Sequence, residues 1–176
     1  MISQILVSAL LISTVYGVNV TVQHYGKEEI TVSITGMEDI KMLPGAVQMV
    51  SMEENWSGNI SACSEVCDGP KTVAELKLGA EQDQYVVSVV NGFNLPMKLI
   101  PETHHETHCK ASVCAANVLK MCPEENRVVD SLGNTAACQG VPELLKAVCP
   151  DAIVEETERI TKEQCCKALG YLVLIG

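Results

Sequence analysis

The chain has 176 residues, of which 47% are hydrophobic and 3% aromatic, and its formal net charge is −10. Its 22 acidic side chains outnumber the 12 basic ones, which argues against nucleic acid and anionic membranes as partners. This length suits one domain with one hydrophobic core.

Residues 1–17 have the pattern of a secretory signal peptide. An apolar run extends from Ile5 to Ile12, no charged side chain occurs, and small residues follow. The run is too short to cross about 30 Å of hydrocarbon, and no later stretch reaches about eighteen apolar residues. We therefore expect cleavage after Gly17 and a secreted protein with a single domain over residues 18–176.

The beginning of the mature chain is predicted to form antiparallel β-strands. Val18–Val22 and Glu29–Thr35 alternate between apolar and polar side chains, as half-buried strands do. The apolar positions that share one face are Val20, Val22, Ile30, Val32 and Ile34. The segment Tyr25–Lys27 between the two strands is predicted to be a hairpin turn.

Four further strands are expected before residue 101. They cover Val47–Met52, Trp56–Ala62, Ala74–Leu78 and Gln84–Val90. The last is rich in valine, which has a high β-propensity, and Asn91-Gly92 ends it as a turn would.

Beyond Pro101 the sequence changes to cysteine-rich loops with short helical pieces at Ala115–Met121 and Glu143–Ala147. The predicted fold is mainly β: a β-sandwich or flattened barrel with a disulfide-rich loop region and short helices. We expect the β core over residues 18–100 approximately, and the cysteine-rich region over residues 101–176.

All nine cysteines follow the signal segment, so they are expected to form disulfides in an oxidising compartment. An odd number leaves one thiol over in a monomer, which is the predicted state. Three N-glycosylation sequons begin at Asn19, Asn55 and Asn59.

Several motifs resemble those of the thaumatin-like family. The segment Tyr85–Met97, YVVSVVNGFNLPM, resembles the family string YDVSLVDGFNLPM. Further matches are Trp56-Ser57-Gly58 to W-S-G, Ala74–Leu78 to A-E-[FIL]-T-L, Cys109 through Cys122-Pro123 to C…CAAD…CP, and Cys149–Ala152 to CPDA. The resemblance covers nearly all of residues 18–176 and implies the family's fold.

The sequence departs from the family in two places. Between Cys138 and Cys149 the family carries a longer segment with four cysteines, whereas only Gln139–Val148 is present, which implies that the small helical domain is reduced or absent. The family also joins a cysteine near the amino end to one near the carboxyl end, and both are missing around His24 and in Tyr171–Gly176.

The resemblance implies four disulfide bonds. These are Cys63–Cys67, Cys109–Cys165, Cys114–Cys149 and Cys122–Cys138. Cys166 is then left over, as a buried free thiol, an alternative partner for Cys109, or one half of an intermolecular bond.

Family members hold a cleft lined by one arginine and four acidic residues, which is associated with binding or weakly hydrolysing β-1,3-glucan. Asn59 stands at the arginine position, and Val86 and Asn91 replace two of the acids. Glu75 matches the family glutamate, and the last acid falls in the loop after Asp151, where Glu158 is favoured over Glu155 and Glu156. Because glycoside hydrolysis needs a matched pair of carboxyl groups, catalysis is not expected.

The stretch His104-His105-Glu106-Thr107-His108-Cys109 has side chains of the types that bind metals. It lacks a full tetrahedral ligand set, and Cys109 is assigned to a disulfide, so no metal site is predicted. Nothing in the sequence indicates a cofactor.

The resemblance and the signal pattern together imply a secreted defence or host-interaction protein that binds a carbohydrate, such as cell-wall β-1,3-glucan, or a protein surface without catalysis. Two alternatives stay open: a weak antifungal β-1,3-glucan hydrolase that uses Glu75 and Glu158, and an acidic inhibitor or effector that binds a basic protein.

Overall fold

The structure is a computed structural model that describes residues 17–103 and 108–176. The predicted signal segment, apart from Gly17, lies outside the described residues. Within them, no helix is long and apolar enough to cross a membrane.

Thirteen strands, three short α-helices and two 3₁₀ helices occur in the described residues. The strands are β1 (Val18–His24), β2 (Ile30–Ile34), β3 (Ile40–Met42), β4 (Val47–Met52), β5 (Ser57–Cys63), β6 (Val73–Lys77), β7 (Asp83–Ser88), β8 (Met97–Glu102), β9 (Ser112–Cys114), β10 (Arg127–Val129), β11 (Thr135–Cys138), β12 (Gln164–Cys166) and β13 (Gly170–Ile175). The helices are α1 (Val118–Met121), α2 (Pro142–Val148) and α3 (Arg159–Lys162).

The strands form two large sheets and a small hairpin. One sheet has the order β4-β1-β13-β8-β9 and the other β12-β7-β6-β5-β2-β3, while β10 pairs with β11. Only the β1–β13 pair is parallel among the strand pairs of the described chain. The mainly β fold expected from the sequence is confirmed.

The inward faces of both sheets contribute to one hydrophobic cluster. Val20 and Val22 of β1 and Ile30, Val32 and Ile34 of β2 are buried in it, as their alternation predicts. The predicted hairpin between these strands is wrong, because β1 and β2 belong to different sheets. The backbone N–H of Tyr25 instead donates to Ile175 O at 2.9 Å, so the residues after β1 are hydrogen-bonded to the last residue of β13.

The β core extends beyond residues 18–100. Strand β13 comes from the segment expected to be cysteine-rich, yet it lies in the centre of the five-stranded sheet, between β1 and β8. Between Cys138 and Cys149 the only regular element is the short helix α2. The small helical domain of the family is therefore reduced to this one helix in the segment.

Three disulfides have the pairing that the resemblance implies: Cys63–Cys67, Cys114–Cys149 and Cys122–Cys138. The fourth expectation was wrong, because Cys109 pairs with Cys166, and Cys165 is the free, exposed cysteine. Strand alternation explains the difference. Neighbouring residues of β12 point to opposite faces, and Cys166 is the one that is buried.

Candidate functional site

The candidate site lies on the outer face of the six-stranded sheet. The strand register places Asn59 of β5 opposite Glu75 of β6, and Glu75 opposite Val86 of β7. Side chains opposite one another on antiparallel strands point to the same face, so these three family positions adjoin. Two of them lack the charge that the family carries there, and Val86 is fully buried.

An arginine enters this face from a distant part of the chain. Arg159 begins α3, directly after a 3₁₀ turn over Glu156–Glu158. Its Nη1 donates to Glu75 Oε2 at 2.7 Å and its Nη2 to Glu75 Oε1 at 3.4 Å. The guanidinium thus donates hydrogen bonds to both carboxylate oxygens of Glu75, the family glutamate that the sequence retains.

Arg159 also contacts two carboxylates from its own segment. Its Nε donates to Glu156 Oε2 at 3.0 Å, and its Nη1 lies 3.6 Å from Glu163 Oε1. The hydrogen bonds that Arg159 donates to Glu75, and then those to Glu156, raise the pKa of Arg159 further above its already high value. One permanently charged group therefore bridges three carboxylates, and we call these four residues the Arg159 network.

A hollow of about 190 Å³ adjoins the network, and we call it the cleft. Its lining residues are Ser57, Gly58, Asn59, Glu75, Leu76, Lys77, Gln84 and Glu163. Most of these residues are polar, and none is aromatic. Amides, a hydroxyl, a lysine and two carboxylates offer both donors and acceptors, which suits a neutral ligand with many hydroxyl groups.

Glu158, the favoured second acid, does not line the cleft. Its Oε2 accepts the backbone N–H groups of Val154 at 2.9 Å and Glu155 at 3.2 Å, and its Oε1 pairs with Lys162 at 3.2 Å. The hydrogen bond from Val154, offset in part by desolvation, lowers the pKa of Glu158. The side chain therefore caps a turn, and Glu163 takes the place beside Glu75 that was expected for it.

Asn91 lies in the turn after β7 and is not among the cleft residues. Glu155 likewise faces elsewhere, since its carboxylate accepts a hydrogen bond from Lys146 at 2.9 Å. Sequence reasoning missed Arg159, Glu163 and Gln84. A signal was present for the first, because Arg159 is one of two arginines in the chain and lies in the acidic loop where a site residue was sought.

The free thiol borders this face. Cys165 pairs in register with Gln84, a cleft residue, and therefore points to the same side of the sheet. The sequons also have defined places: Asn19, Asn55 and Asn59 are all exposed, and Asn59 lines the cleft.

No group of three or more histidine, cysteine or acidic side chains suited to hold a metal ion occurs in residues 17–103 and 108–176. His104 and His105 lie outside the described residues, so the absence of a metal site there stays a prediction.

Comparison with known proteins decides the family. The model of the Thaumatin family matches residues 56–173, which include the cleft strands and the Arg159 segment. The chain belongs to the Thaumatin family. Thaumatin-like protein 2 from Prunus persica is 36% identical over 126 residues, which is 60% of this chain and 50% of that protein. The chain spans about half the length of these curated thaumatin-like relatives.

Two further similarities concern proteins with named activities. A glucan endo-1,3-beta-glucosidase from Prunus avium is 41% identical over 80 residues, 42% of this chain and 32% of that protein. The solved structure of a thaumatin-like xylanase inhibitor superposes with a TM-score of 0.51 at 15% identity, covering 89% of this chain and 97% of that one. The second similarity confirms the thaumatin-like fold.

Proposed function

We propose that this thaumatin-family chain is a secreted, non-catalytic binding protein whose cleft recognises β-1,3-glucan. The observation that carries the proposal is the contact of Arg159 with both oxygens of Glu75, a residue that lines the polar cleft. This contact holds the donors and acceptors beside the cleft in fixed positions. It also occupies both oxygens of Glu75, the retained family carboxylate.

The chemistry of the cleft supports a neutral polysaccharide as ligand. Sugar hydroxyls both donate and accept, and the amides of Asn59 and Gln84 can do the same. The hollow, at about 190 Å³, is smaller than typical small-molecule pockets of about 300 to 1,000 Å³. A site of this size suits contact with a short stretch of a polymer that continues beyond it.

The same contacts argue against hydrolysis. A glycosidase needs one carboxyl group that delivers a proton and a second that acts as base or nucleophile. Here both oxygens of Glu75 accept hydrogen bonds from Arg159, so neither oxygen is free to contact a glycosidic oxygen or a sugar carbon.

A weak hydrolase is the second candidate, and the carboxylate spacing favours it. Glu75 Oε2 and Glu163 Oε1 lie 2.7 and 3.6 Å from the same Nη1 of Arg159, so they are at most 6.3 Å apart. Retaining glycosidases place their carboxyl groups about 5 to 5.5 Å apart. If Arg159 moved away on substrate binding, Glu75 and Glu163 would form the required pair.

Secretion and a role in defence against fungi belong to the same proposal. The signal pattern of residues 1–17 and four disulfides both fit an oxidising compartment outside the cytosol. A protein that binds glucan outside the cell meets fungal walls directly, without any need for catalysis.

The test is co-sedimentation of the purified mature protein with insoluble β-1,3-glucan, with chitin and cellulose as controls, while released reducing sugar is assayed. We expect binding to glucan and no release. A variant with Asn59→Ala and Gln84→Ala should bind several-fold less, whereas the matched pair Asn126→Ala and Gln139→Ala, outside the cleft, should not change binding. Release of sugar that Glu163→Gln abolishes would favour the hydrolase, and no binding to glucan would refute the proposal.

A further inference from the structure

A second concave surface lies at the end of the sandwich where β1 and β13 finish. Two hollows of about 310 and 460 Å³ meet there. The residues that line both are Glu28, Ser64, Asn94, Leu95 and Leu119. Because they share these residues, the two hollows form one groove, which we call the end groove.

The walls of the end groove are braced by covalent bonds. Ser64 and Glu65 are two of the three residues enclosed by the Cys63–Cys67 disulfide. The facing wall is the β10–β11 hairpin, which the Cys122–Cys138 disulfide closes at its base. A groove with such walls loses little conformational freedom when a ligand enters, which favours binding.

Hydrogen bonds fix the tip of that hairpin. Asp130 Oδ1 accepts the backbone N–H groups of Leu132 and Asn134, each at 2.8 Å, and Oδ2 accepts from Asn134 Nδ2 at 3.0 Å. Leu132 is left 77% exposed beside this turn. The turn thus presents a carboxylate and an apolar side chain together at the rim.

The lining combines an apolar floor with an acidic rim. Leu95, Pro96 and Leu119 are partly buried and form apolar surface, while Glu28 and Glu65 are exposed. With Asp130, the rim holds three carboxylates against one lysine, Lys27, while the buried His24 contacts backbone carbonyls through both ring nitrogens. Among the described residues, neither glutamate has an ion-pair partner within 4.0 Å, so both remain available to a cation from outside.

The end groove is separate from the cleft. Strand β5 runs from Ser57, which lines the cleft, to Cys63, which directly precedes Ser64 of the groove. Ser57 and Ser64 are seven positions apart, and a strand rises about 3.3 Å per position. A ligand can therefore occupy one site without covering the other.

We propose that the end groove is a docking site for an extended basic segment of a partner protein. Lysine or arginine side chains of that segment would pair with Glu28, Glu65 and Asp130, and an apolar side chain between them would pack on Leu95 and Leu119. The excess of acid over base in the whole chain would speed the approach of such a partner.

Fluorescence anisotropy with a labelled heptapeptide that alternates lysine and leucine provides the test. Its comparison peptides alternate lysine with serine and glutamate with leucine. We expect the lysine–leucine peptide to bind several-fold more tightly than the lysine–serine peptide, because only the former fills the apolar floor. The glutamate–leucine peptide should not bind, and salt should weaken the interaction.

Matched variants distinguish peptide binding in the end groove from nonspecific electrostatic attraction to the acidic protein. Glu28→Gln with Glu65→Gln should weaken binding about tenfold, whereas Glu53→Gln with Glu54→Gln, which changes net charge equally, should have an effect of less than about twofold. Leu132→Ser is an independent variant. Because the Leu132 side chain is exposed, misfolding would be a poor explanation of any loss of peptide binding in this variant. Equal losses in both double variants, displacement of the peptide by laminarihexaose, or no binding of the lysine–leucine peptide would each overturn the proposal.

Discussion

Arg159 and Glu75, 84 positions apart in the sequence, meet through two hydrogen bonds of 2.7 and 3.4 Å. The contact joins the acidic segment after α2 to the middle of β6. The family arginine position is Asn59, so the positive charge at this face comes from another part of the chain. The cleft is therefore bordered by carboxylates and by a guanidinium, although most of the charged positions expected from the family are lost in this sequence.

A double-mutant cycle tests this contact. Both side chains are about 30% exposed, so solvent reduces the strength of the pair, and we expect a coupling free energy of about 1 kcal/mol between Arg159→Ala and Glu75→Ala. Denaturant unfolding measures it. Additive effects of the two substitutions would mean that the contact does not contribute.

Asp83 is a fully buried carboxylate with a complete set of partners. It accepts hydrogen bonds from Tyr171 Oη at 3.0 Å, the Ala168 N–H at 3.2 Å and the Gly79 N–H at 3.1 Å, and it pairs with Lys167 at 3.2 Å. Asp83→Ala should cost about 3 to 5 kcal/mol, because Lys167 and three donors lose their acceptor.

The control for Asp83 is Asp39→Ala, at an exposed position, which should change the free energy of unfolding by no more than about 0.5 kcal/mol. Equal effects of the two substitutions in thermal or urea unfolding would show that the buried set is not a stabilising unit.

Tyr85 should make the protein sensitive to alkali. Burial first, and then the negative charges of Cys165 and Asp83, raise its pKa from 10.0 to about 12. The folded state thus holds the phenolic proton more tightly than the unfolded state. This contribution to stability is complete below pH 10 and is lost as the pH rises from 10 to about 12.

Urea unfolding across that pH range measures the loss, and Tyr85→Phe should make the decline with pH shallower. Phenolate absorbance gives the pKa directly. A Tyr85 that ionises at its ordinary value in the folded protein would contradict the prediction.

Cys165 should be the one thiol that reacts with an alkylating reagent in the native protein. Cys165→Ser should abolish labelling and preserve stability, whereas Cys166→Ser removes the bond to Cys109 and should cost about 2 to 4 kcal/mol. Peptide mapping without reduction decides the pairing if the free thiol is alkylated first and the linked peptide is fragmented between Cys165 and Cys166. A Cys109–Cys165 peptide would contradict the structure.

A glycan on Asn59 would fill the cleft, since this exposed side chain lines it beside Glu75. Ser61→Ala removes the sequon and keeps the asparagine. In protein from a glycosylating host, we expect this substitution to remove one glycan, seen by mass, and to increase binding to glucan. Thr21→Ala removes the Asn19 sequon on the other sheet and should leave binding unchanged, so an equal gain from both variants would argue against obstruction at the cleft.

Much of the fold follows from local pattern. Strict alternation placed Val20, Val22, Ile30, Val32 and Ile34 in the core, and the motifs identified the family and three disulfides. Pairing was harder, because alternation shows which face a strand buries but not which strand lies beside it. One neighbour of β1 is β4, and the other is β13, from the far end of the chain. No feature of the intervening sequence predicts this parallel pair.

The site was harder still to predict. Matching by position identified Glu75 and the losses at Asn59 and Val86, but it could not find a charge supplied from elsewhere. Arg159 lies next to Glu158, which caps the preceding turn, and contacts Glu75 across 84 positions of sequence. The exchange of Cys165 for Cys166 has a similar cause, since one residue in a strand decides between the core and the surface.

The most direct test of the account is NMR chemical-shift mapping of the isotope-labelled mature protein with laminarihexaose, followed over hours for cleavage products. We predict shifts confined to the cleft strands around Asn59, Glu75 and Gln84, with the sugar intact. Shifts centred on the end groove, no shifts at all, or shortening of the hexasaccharide would contradict a non-catalytic glucan-binding cleft.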